Sequence, residues 1–579
     1  MRQVLAGTVA ARGMALGRAR LVVPAQVAVD TRPLAENEID AEIERLHQAL
    51  DAARAELRGL REKLHGALAL EVGEFIDTHS MLLDDPELLR GLDELVRRQR
   101  YRAGAALKAQ RDRLTAVFDA MDDPYLRSRR EDIEQAIGRV LGQLATQSNR
   151  EERKLAARVG EILVADTVAP ADMAHLAGHG LLGVVAGAGS VYSHSAILAR
   201  SLNLPMLVGT SDALSSIGDD DLVLLDGEAG EAVLHPTAQD LVRYRNWQRE
   251  AAQEGRRLAM LAAAPTRTRD GVDIDLYANA ELPADVAAAR ARGACGIGLY
   301  RTEFLFLKRK TQPDEDEQFA VYRDLVLGMG GLPVTIRTLD LGADKADAAG
   351  LAVRGEDNPA LGVRGVRLSL RHPVMFATQL RAILRAACYG PVRILIPMVT
   401  QADELQAVRT LLDLCAHDLR NEGHESGGNV ELGAMVEVPA AAINVRALLD
   451  HADFLAIGTN DLAQYVLAAD RNNDALGKLY DPLQPALLRL VGHVISAGRR
   501  AGKPVSLCGE MASDPLFTPL LLALGLTDFS MHPSQLLAVR DRIGQLDRSA
   551  LRRFHPRLMH ARSRDDVEAL LRAAAPKQL

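Results

Sequence analysis

The chain is 579 residues long, 48% hydrophobic and 25% charged, a globular balance that excludes disordered, collagen-like and mucin-like polymers. At roughly 150 residues per domain, such a length predicts about four domains and excludes a single small module. With 69 basic against 77 acidic residues, the net charge of −8 gives no electrostatic footprint for a nucleic-acid backbone.

At the start of the chain, VLAGTVAA after Arg2 reads as a strand and not a secretion signal, because it is short, holds Gly7 and Thr8 and runs into Arg12. From Ile39 onward, apolar residues at Ile39, Ile43, Leu46, Leu50, Ala53, Leu57, Leu60 and Leu64 form one seam of a coiled-coil-like helix. Further helical patterns span Leu107 to Met121 and Ile133 to Leu144, with Pro86 and Pro124 near their boundaries, so residues 30–147 predict an all-helical bundle. Periodicity alone fits a plain oligomerisation bundle equally well. Short strand patterns flank the bundle, VLAGTVAARGMALGRARLVV before it and EILVAD, GVVAG, PMLVG and DLVLLDG after it. Residues 1–29 and 148–236 are therefore expected to form one α/β domain carrying the helical domain as an insertion, since the first flank holds too few strands to stand alone. A charged, alanine-rich stretch with Trp247, residues 237–264, predicts a linker helix.

Residues 265–579 carry eight strand-like segments separated by helical stretches: VDIDLYAN, GIGLYRTEF, VTIRTLDLG, VRILIPMV, LGAMVEV, FLAIGTND, PVSLCGE and TDFSMH. That alternation predicts a (β/α)8 barrel with its active site at the C-terminal strand ends. Those ends hold Asn279, Arg301-Thr302-Glu303, Arg337-Thr338 with Asp340, Glu437, Thr459-Asn460-Asp461, Cys508-Gly509-Glu510 and Ser530. Arginines grip phosphate and carboxylate, two carboxylates on adjacent strands suit Mg²⁺, and a thiol can move a proton. Any one of these arginines could be a rim salt bridge. Together the groups predict a small phosphorylated acid held with a divalent metal.

A second chemical feature lies in GAGSVYSHSAILARSLNLPMLVG, where Ser193 has the character of an N-cap and His194 opens a helix. A histidine beside free backbone amides and the positive end of a helix dipole is disfavoured as imidazolium, and its surroundings favour a bound phosphate. Position alone fits a capping histidine as well as a phosphoryl acceptor. The four cysteines, Cys295, Cys388, Cys415 and Cys508, are too scattered for a disulfide framework or a zinc site and point to a reducing cytosol. No apolar run of about 18 residues is present, so no membrane insertion is expected.

GLYRTEFLFL, TLDLGADK, DNPALGVRGVRL, AMVEVPAAA, IGTNDLAQY, AADRNND and CGEMASD, in that order, resemble the phosphoenolpyruvate-binding barrel of the Enzyme I family. These are the phosphoenolpyruvate–protein phosphotransferases of bacterial sugar phosphotransferase systems, and the resemblance extends to the N-terminal strands, the helical insert and the His194 segment. It implies a multidomain α/β protein: a swivelling phosphohistidine domain with an inserted helical domain that docks the carrier protein HPr, then a (β/α)8 TIM barrel that dimerises. It further implies that Arg301, Arg337, Arg471, Asn460 and Asp461 hold phosphoenolpyruvate, with Lys345 and Arg364 supporting the phosphoryl group. By the same resemblance Glu437 and Asp461 would ligate Mg²⁺, Cys508 would protonate the enolate, and His194 would pass the phosphoryl group to HPr. FIDTHSMLLDDPEL is similar to the family's HPr-facing stretch, which puts Phe75, His79, Met81, Leu82, Asp85 and Glu87 at that surface.

The acceptor loop departs from the family. Where members usually read Gly-Gly-Arg-Thr-Ser-His-Thr-Ser, this chain has Gly189-Ser190-Val191-Tyr192-Ser193-His194-Ser195-Ala196, without the arginine. An alternative reading is therefore a regulatory, sensor-like member with weakened phosphotransfer. Pyruvate phosphate dikinase and phosphoenolpyruvate synthase share the histidine domain and barrel. They also need a large nucleotide-binding domain, for which the helical first 150 residues show no glycine-rich pattern.

Overall fold

The structure, a computed structural model, describes residues 2–22, 32–63, 76, 79–119, 133, 136–144, 160–168, 173, 176, 180–189, 194–202, 204–210, 213–306, 311–342, 358–427, 430–470 and 479–574. It divides into two units, residues 1–252 and 253–579.

In the first unit, strands from both sides of a helical segment interleave in one sheet. Strands β1 (Gln3–Ala6), β2 (Thr8–Ala11) and β3 (Met14–Val22) precede that segment, and β4 (Glu161–Ala165), β5 (Gly183–Ala186), β6 (Met206–Val208), β7 (Leu222–Asp226) and β8 (Glu231–Leu234) follow it. The sheet order is β1-β8-β7-β3-β4-β5-β6-β2. Its centre is β3, parallel to β4 from Arg18↔Glu161 to Val22↔Ala165 and antiparallel to β7 from Met14↔Asp226 to Arg18↔Leu222. Strands β4 and β5 are almost wholly apolar and buried, as strands covered on both faces require.

The helical segment contains α1 (Ile39–Lys63), α2 (Pro86–Gln99) and α3 (Ala103–Asp119). Along the α1 seam, Ile43, Leu46, Leu50, Ala53 and Leu57 are buried; the side chain of Leu60 and residue Leu64 lie outside the described residues. Helix α2 opens on Pro86 at its first position, with the Asp85 carboxylate accepting from Glu87 N at 2.9 Å. It closes on Arg100 in the left-handed conformation, φ 56°. Helix α4 (His194–Ser201) packs Ala196, Leu198 and Ala199 into the sheet's core, and the Ser195 hydroxyl donates to Val168 O at 2.6 Å. Helix α5 (Ala238–Ala259) is tied at its start to β1, where Arg2 Nε donates to Asp240 at 2.9 Å.

The second unit is a closed barrel of eight parallel strands: β9 (Asp275–Ala280), β10 (Ile297–Arg301), β11 (Val334–Arg337), β12 (Val392–Ile396), β13 (Glu431–Val436), β14 (Phe454–Ile457), β15 (Val505–Leu507) and β16 (Asp528–Met531). Alternate strand residues serve two cores. Leu299, Leu395, Met435, Phe454 and Ala456 fill the interior together with Cys508, while Ile297, Ile336, Ile394, Leu432, Leu455 and Leu507 pack outward against the helices. Among those helices are α6 (Glu315–Met329), α7 (Pro373–Ala386) and α8 (Thr459–Leu467). No helix among the described residues is long and apolar enough to cross a membrane.

At the end of the barrel opposite the site, buried Arg540 gathers backbone carbonyls from the segment that follows α5. Its guanidinium donates to Leu261 O at 2.7 Å, Ala262 O at 2.9 Å and Arg292 O at 3.2 Å, and its Nε to Thr266 Oγ1 at 2.9 Å. Gly293 is in the left-handed region, φ 67°, and a Cβ there would stand 1.8 Å from Ala262 O. Gly293→Ala is therefore expected to lower barrel stability by at least ~1–3 kcal/mol from backbone strain alone, with the carbonyl clash added. Urea unfolding followed by circular dichroism measures this, and an unchanged midpoint would contradict it.

Candidate active site

After an irregularity between Ile297 and Tyr300, the pairing of β10 with β11 runs through Tyr300↔Ile336 to Arg301↔Arg337, which brings two arginines side by side at the C-terminal rim. Arg301 is half-exposed, and its guanidinium donates to Glu281 Oε1 at 2.7 Å. Arg337 is buried, donating to Glu303 Oε1 at 2.8 Å and lying 3.4 Å from Asp340 Oδ2. From the loop before the next helix, Arg364 makes a two-pronged pair with Asp340 at 3.2 and 3.0 Å, reaches Tyr465 Oη at 3.4 Å and lies 3.8 Å from Asp461. Buried Arg337 Nε, Glu303 Oε2 and Glu281 Oε2 have no hydrogen-bond partner among the described residues, an arrangement that a native site keeps for a ligand.

On the next strands, Glu437 is buried at the end of β13, accepting from Met398 N at 2.7 Å. Gly458 makes room for it: a Cβ there would stand 2.8 Å from Glu437 Oε2. At the N-terminus of α8, Asn460 Oδ1 accepts from Glu510 N at 3.0 Å, and Tyr480 donates to Asn460 O at 3.0 Å. The Cys508 thiol closes the barrel interior beneath them, 3.5 Å from Ile457 O. Burial, with the Glu437 charge added, pushes that thiol up to about 12, so it is a thiol and not a thiolate at neutral pH. Behind it, the Ser530 hydroxyl donates to Asn279 at 2.6 Å, and Asn279 donates to Cys508 O at 3.1 Å.

Arg337 and Arg364 face the carboxylates of Glu303, Asp340, Glu437 and Asp461, and burial together with Asp461 and Asp340 pushes Glu437 up to about 8 despite the two arginines. Carboxylates crowded in this way are relieved by a bound dication. Glu437 and Asp461 interact electrostatically at this rim, and such a donor pair fits a divalent ion held by one or two carboxylates and completed by substrate oxygens and water.

The structure thus brings Arg301, Arg337, Arg364, Glu437, Asn460, Asp461 and Cys508 to one rim; Lys345 and Arg471 lie outside the described residues. His194 is the first residue of α4, in the other unit, and the loop before it, with Ser193, lies outside the described residues. In the stretch expected to face a partner, Met81 is exposed and Leu82 partly so, Asp85 caps α2, and Glu87 pairs with Arg90 at 3.2 Å. His79 is fully buried and offers no surface, and Phe75 lies outside the described residues. Sequence reasoning passed over Glu281, Tyr465 and the Met398 amide. Glu281 directly follows β9 and had a legible signal as an acid at a strand end; the other two reach the rim from a helix and from the backbone.

Asp340 is the shared partner of Arg337 and Arg364, so Asp340→Ala strips partly buried Arg364 of its two-pronged partner and leaves Arg337 with Glu303. The expected loss is about 3–5 kcal/mol, read from urea unfolding of the variant, and a loss under ~1 kcal/mol would mean that the cluster is not charged as described.

Three family profiles match the chain: the N-terminal domain of PEP-utilising enzymes over residues 6–129, their mobile domain over 157–230 and their PEP-binding domain over 255–548. A phosphoenolpyruvate-protein phosphotransferase of Cupriavidus necator is 44% identical over 580 aligned positions, covering 99% of this chain and 99% of that protein. Proteins of the same name from Geobacillus stearothermophilus and Listeria monocytogenes are 37% and 36% identical, covering 98% and 99% of this chain and 97% and 99% of their own lengths. Members of this group work on phosphoenolpyruvate with a divalent metal. Matched over 99% of its length, the chain belongs to the phosphoenolpyruvate-protein phosphotransferases within the PEP-utilising enzyme family.

Proposed function

We propose that this chain transfers the phosphoryl group of phosphoenolpyruvate to His194 and from there to a histidine of HPr, releasing pyruvate and starting a sugar phosphotransferase cascade. The observation that carries the reading is the convergence, at one barrel rim, of three arginines, one of them buried with its Nε unmet among the described residues, and a thiol held protonated. Relatives matched end to end carry the transferase name, which supports it further.

In this reading Arg301 and Arg337, with Arg471, grip the carboxylate and phosphate, and Arg364 and Lys345 take up charge on the moving phosphoryl group. Asn460 orients the substrate from the end of α8. Glu437 and Asp461 are the residues that would hold Mg²⁺, which when bound supplies charge neutralisation at the phosphate and carboxylate oxygens. As the P–O bond breaks, electrons flow into the enolate, and the Cys508 S–H gives its proton to the methylene carbon to complete pyruvate. The imidazole of His194 takes the phosphoryl group in line, so positioning and electrostatics do most of the catalysis.

Residues 1–29 with 148–236 would form the phosphohistidine domain, 30–147 the HPr-docking domain, 237–264 the linker, and 265–579 the substrate barrel through which two copies pair. Met81 and Leu82 would present the apolar part of the HPr surface, with Asp85 and Glu87 beside them for a basic partner. A cytosolic location fits the scattered thiols. The sensor-like alternative draws only on Ser190, Val191 and Tyr192 in the altered loop, and the matched relatives do not favour it.

Intact-protein mass after mixing with phosphoenolpyruvate and Mg²⁺ tests the proposal. An acid-labile phosphoryl adduct is expected, absent in His194→Ala and discharged by HPr. No adduct on the native chain would overturn it. Cys508→Ala is expected to slow pyruvate release by ~10²–10⁴-fold, as loss of a general acid does, and Glu437→Gln to abolish the metal dependence of adduct formation.

A further inference from the structure

Helix α7 carries its apolar stripe on Met375, Phe376, Leu380, Ala382, Ile383 and Leu384, and in the middle of that stripe stands Gln379, fully buried. A buried amide in an apolar face is costly unless every group is met. Here all are engaged. Gln379 Oε1 accepts from Leu339 N at 3.0 Å, and Nε2 donates to Thr302 Oγ1 at 3.3 Å and to Tyr322 Oη at 3.1 Å. Thr302 Oγ1 donates in turn to Arg337 O at 2.9 Å. On the far side, Tyr322 donates to Gln318 at 3.2 Å, and Gln318 to Pro313 O at 3.0 Å.

The place of these bonds gives them meaning. Strand pairing between β10 and β11 ends at Arg301↔Arg337. Thr302 is the next residue on one side, and Leu339 stands between Arg337 and Asp340 on the other. Beyond the last ladder bond, the Gln379 amide and the Thr302 hydroxyl join the two strand ends on the helix side, while the Glu303 carboxylate, accepting from Arg337 and from Asp340 N, joins them on the rim side. The short Thr302–Gln379–Leu339 bridge thus continues the sheet at the one point where two arginines must keep a fixed separation.

We propose that Gln379 is a positioning residue for phosphoenolpyruvate: acting through Thr302 and the Leu339 amide, it sets the spacing of Arg301 and Arg337 without touching the substrate. The inference rests on the reading of those arginines given above. Tyr322 and Gln318 buttress the bridge from behind and do not join the strand ends.

The test is calorimetric binding of phosphoenolpyruvate with Mg²⁺ to the full chain in a His194→Ala background, where no transfer consumes the ligand. Gln379→Leu and Thr302→Val are expected to weaken binding by roughly ten-fold or more, since misplacement of gripping groups by a fraction of an ångström carries such a penalty. Thr302→Ser, which keeps the hydroxyl, restores binding. Tyr322→Phe lowers the melting temperature but leaves the dissociation constant within about two-fold, a split that loss of packing alone does not produce. If Gln379→Leu does not fold, the Thr302 pair decides. Unchanged affinity in folded Gln379→Leu or Thr302→Val, alongside weakened binding in Arg337→Ala, overturns the positioning role alone. Affinity that falls in step with melting temperature in every variant, Tyr322→Phe included, overturns it as well. Binding that Arg337→Ala leaves intact overturns both this inference and the reading of the site.

Discussion

The Asp340 carboxylate, taken out of water between the guanidiniums of Arg337 and Arg364, is the charge around which the barrel rim is organised. A buried ion is tolerated only when its partners and hydrogen bonds are all in place. Asp340 meets that condition by accepting twice from Arg364 and pairing with Arg337 at 3.4 Å, while its own N–H donates to Glu303 at 3.1 Å. Arg337 then holds fixed protein carboxylates while its Nε stays unmet among the described residues. Such preorganisation is what lets a site stabilise a moving phosphoryl group without reorganising at the moment of transfer.

The barrel explains how groups so far apart in the chain meet. Eight parallel strands end at one rim, and each end places one or two polar residues over an interior filled with Leu299, Leu395, Met435, Phe454 and Ala456. That apolar floor does chemical as well as structural work. It excludes water beneath the substrate, strengthens every charge above it and keeps the Cys508 proton in place. Polar bridges behind the rim, such as those made by Gln379 and Asn279, carry the register of the sheet past the last ladder bond.

Most of the barrel was legible in the sequence because its strands are short apolar runs that end abruptly in charge; GLYRTEF and AIGTND can be read in no other way without leaving charge in the core. The seam of α1 was legible for a similar reason, a repeat sustained from Ile43 to Leu57. What failed to show were side chains whose role depends on which face a helix turns inward. His79 reads as a surface residue in HSMLLDDPEL yet is buried, because a short amphipathic stretch does not name the neighbour it packs against. Gln379 is the converse, a polar residue that periodicity passes over as an interruption of an apolar stripe. Glu281 sits between a strand and the Pro283 helix start, just before the Leu282 N-cap, where an acid has an ordinary reading as a neighbour of the helix dipole.

The state of Cys508 reaches beyond proton transfer. Peroxides attack the thiolate and not the thiol, and a thiol held at about 12 is almost never ionised in a cell. The burial that makes it a dependable proton donor therefore also shields it from oxidation to sulfenic acid. At rest, Cys508 is thus a far poorer target for peroxide than an exposed, acidic cysteine.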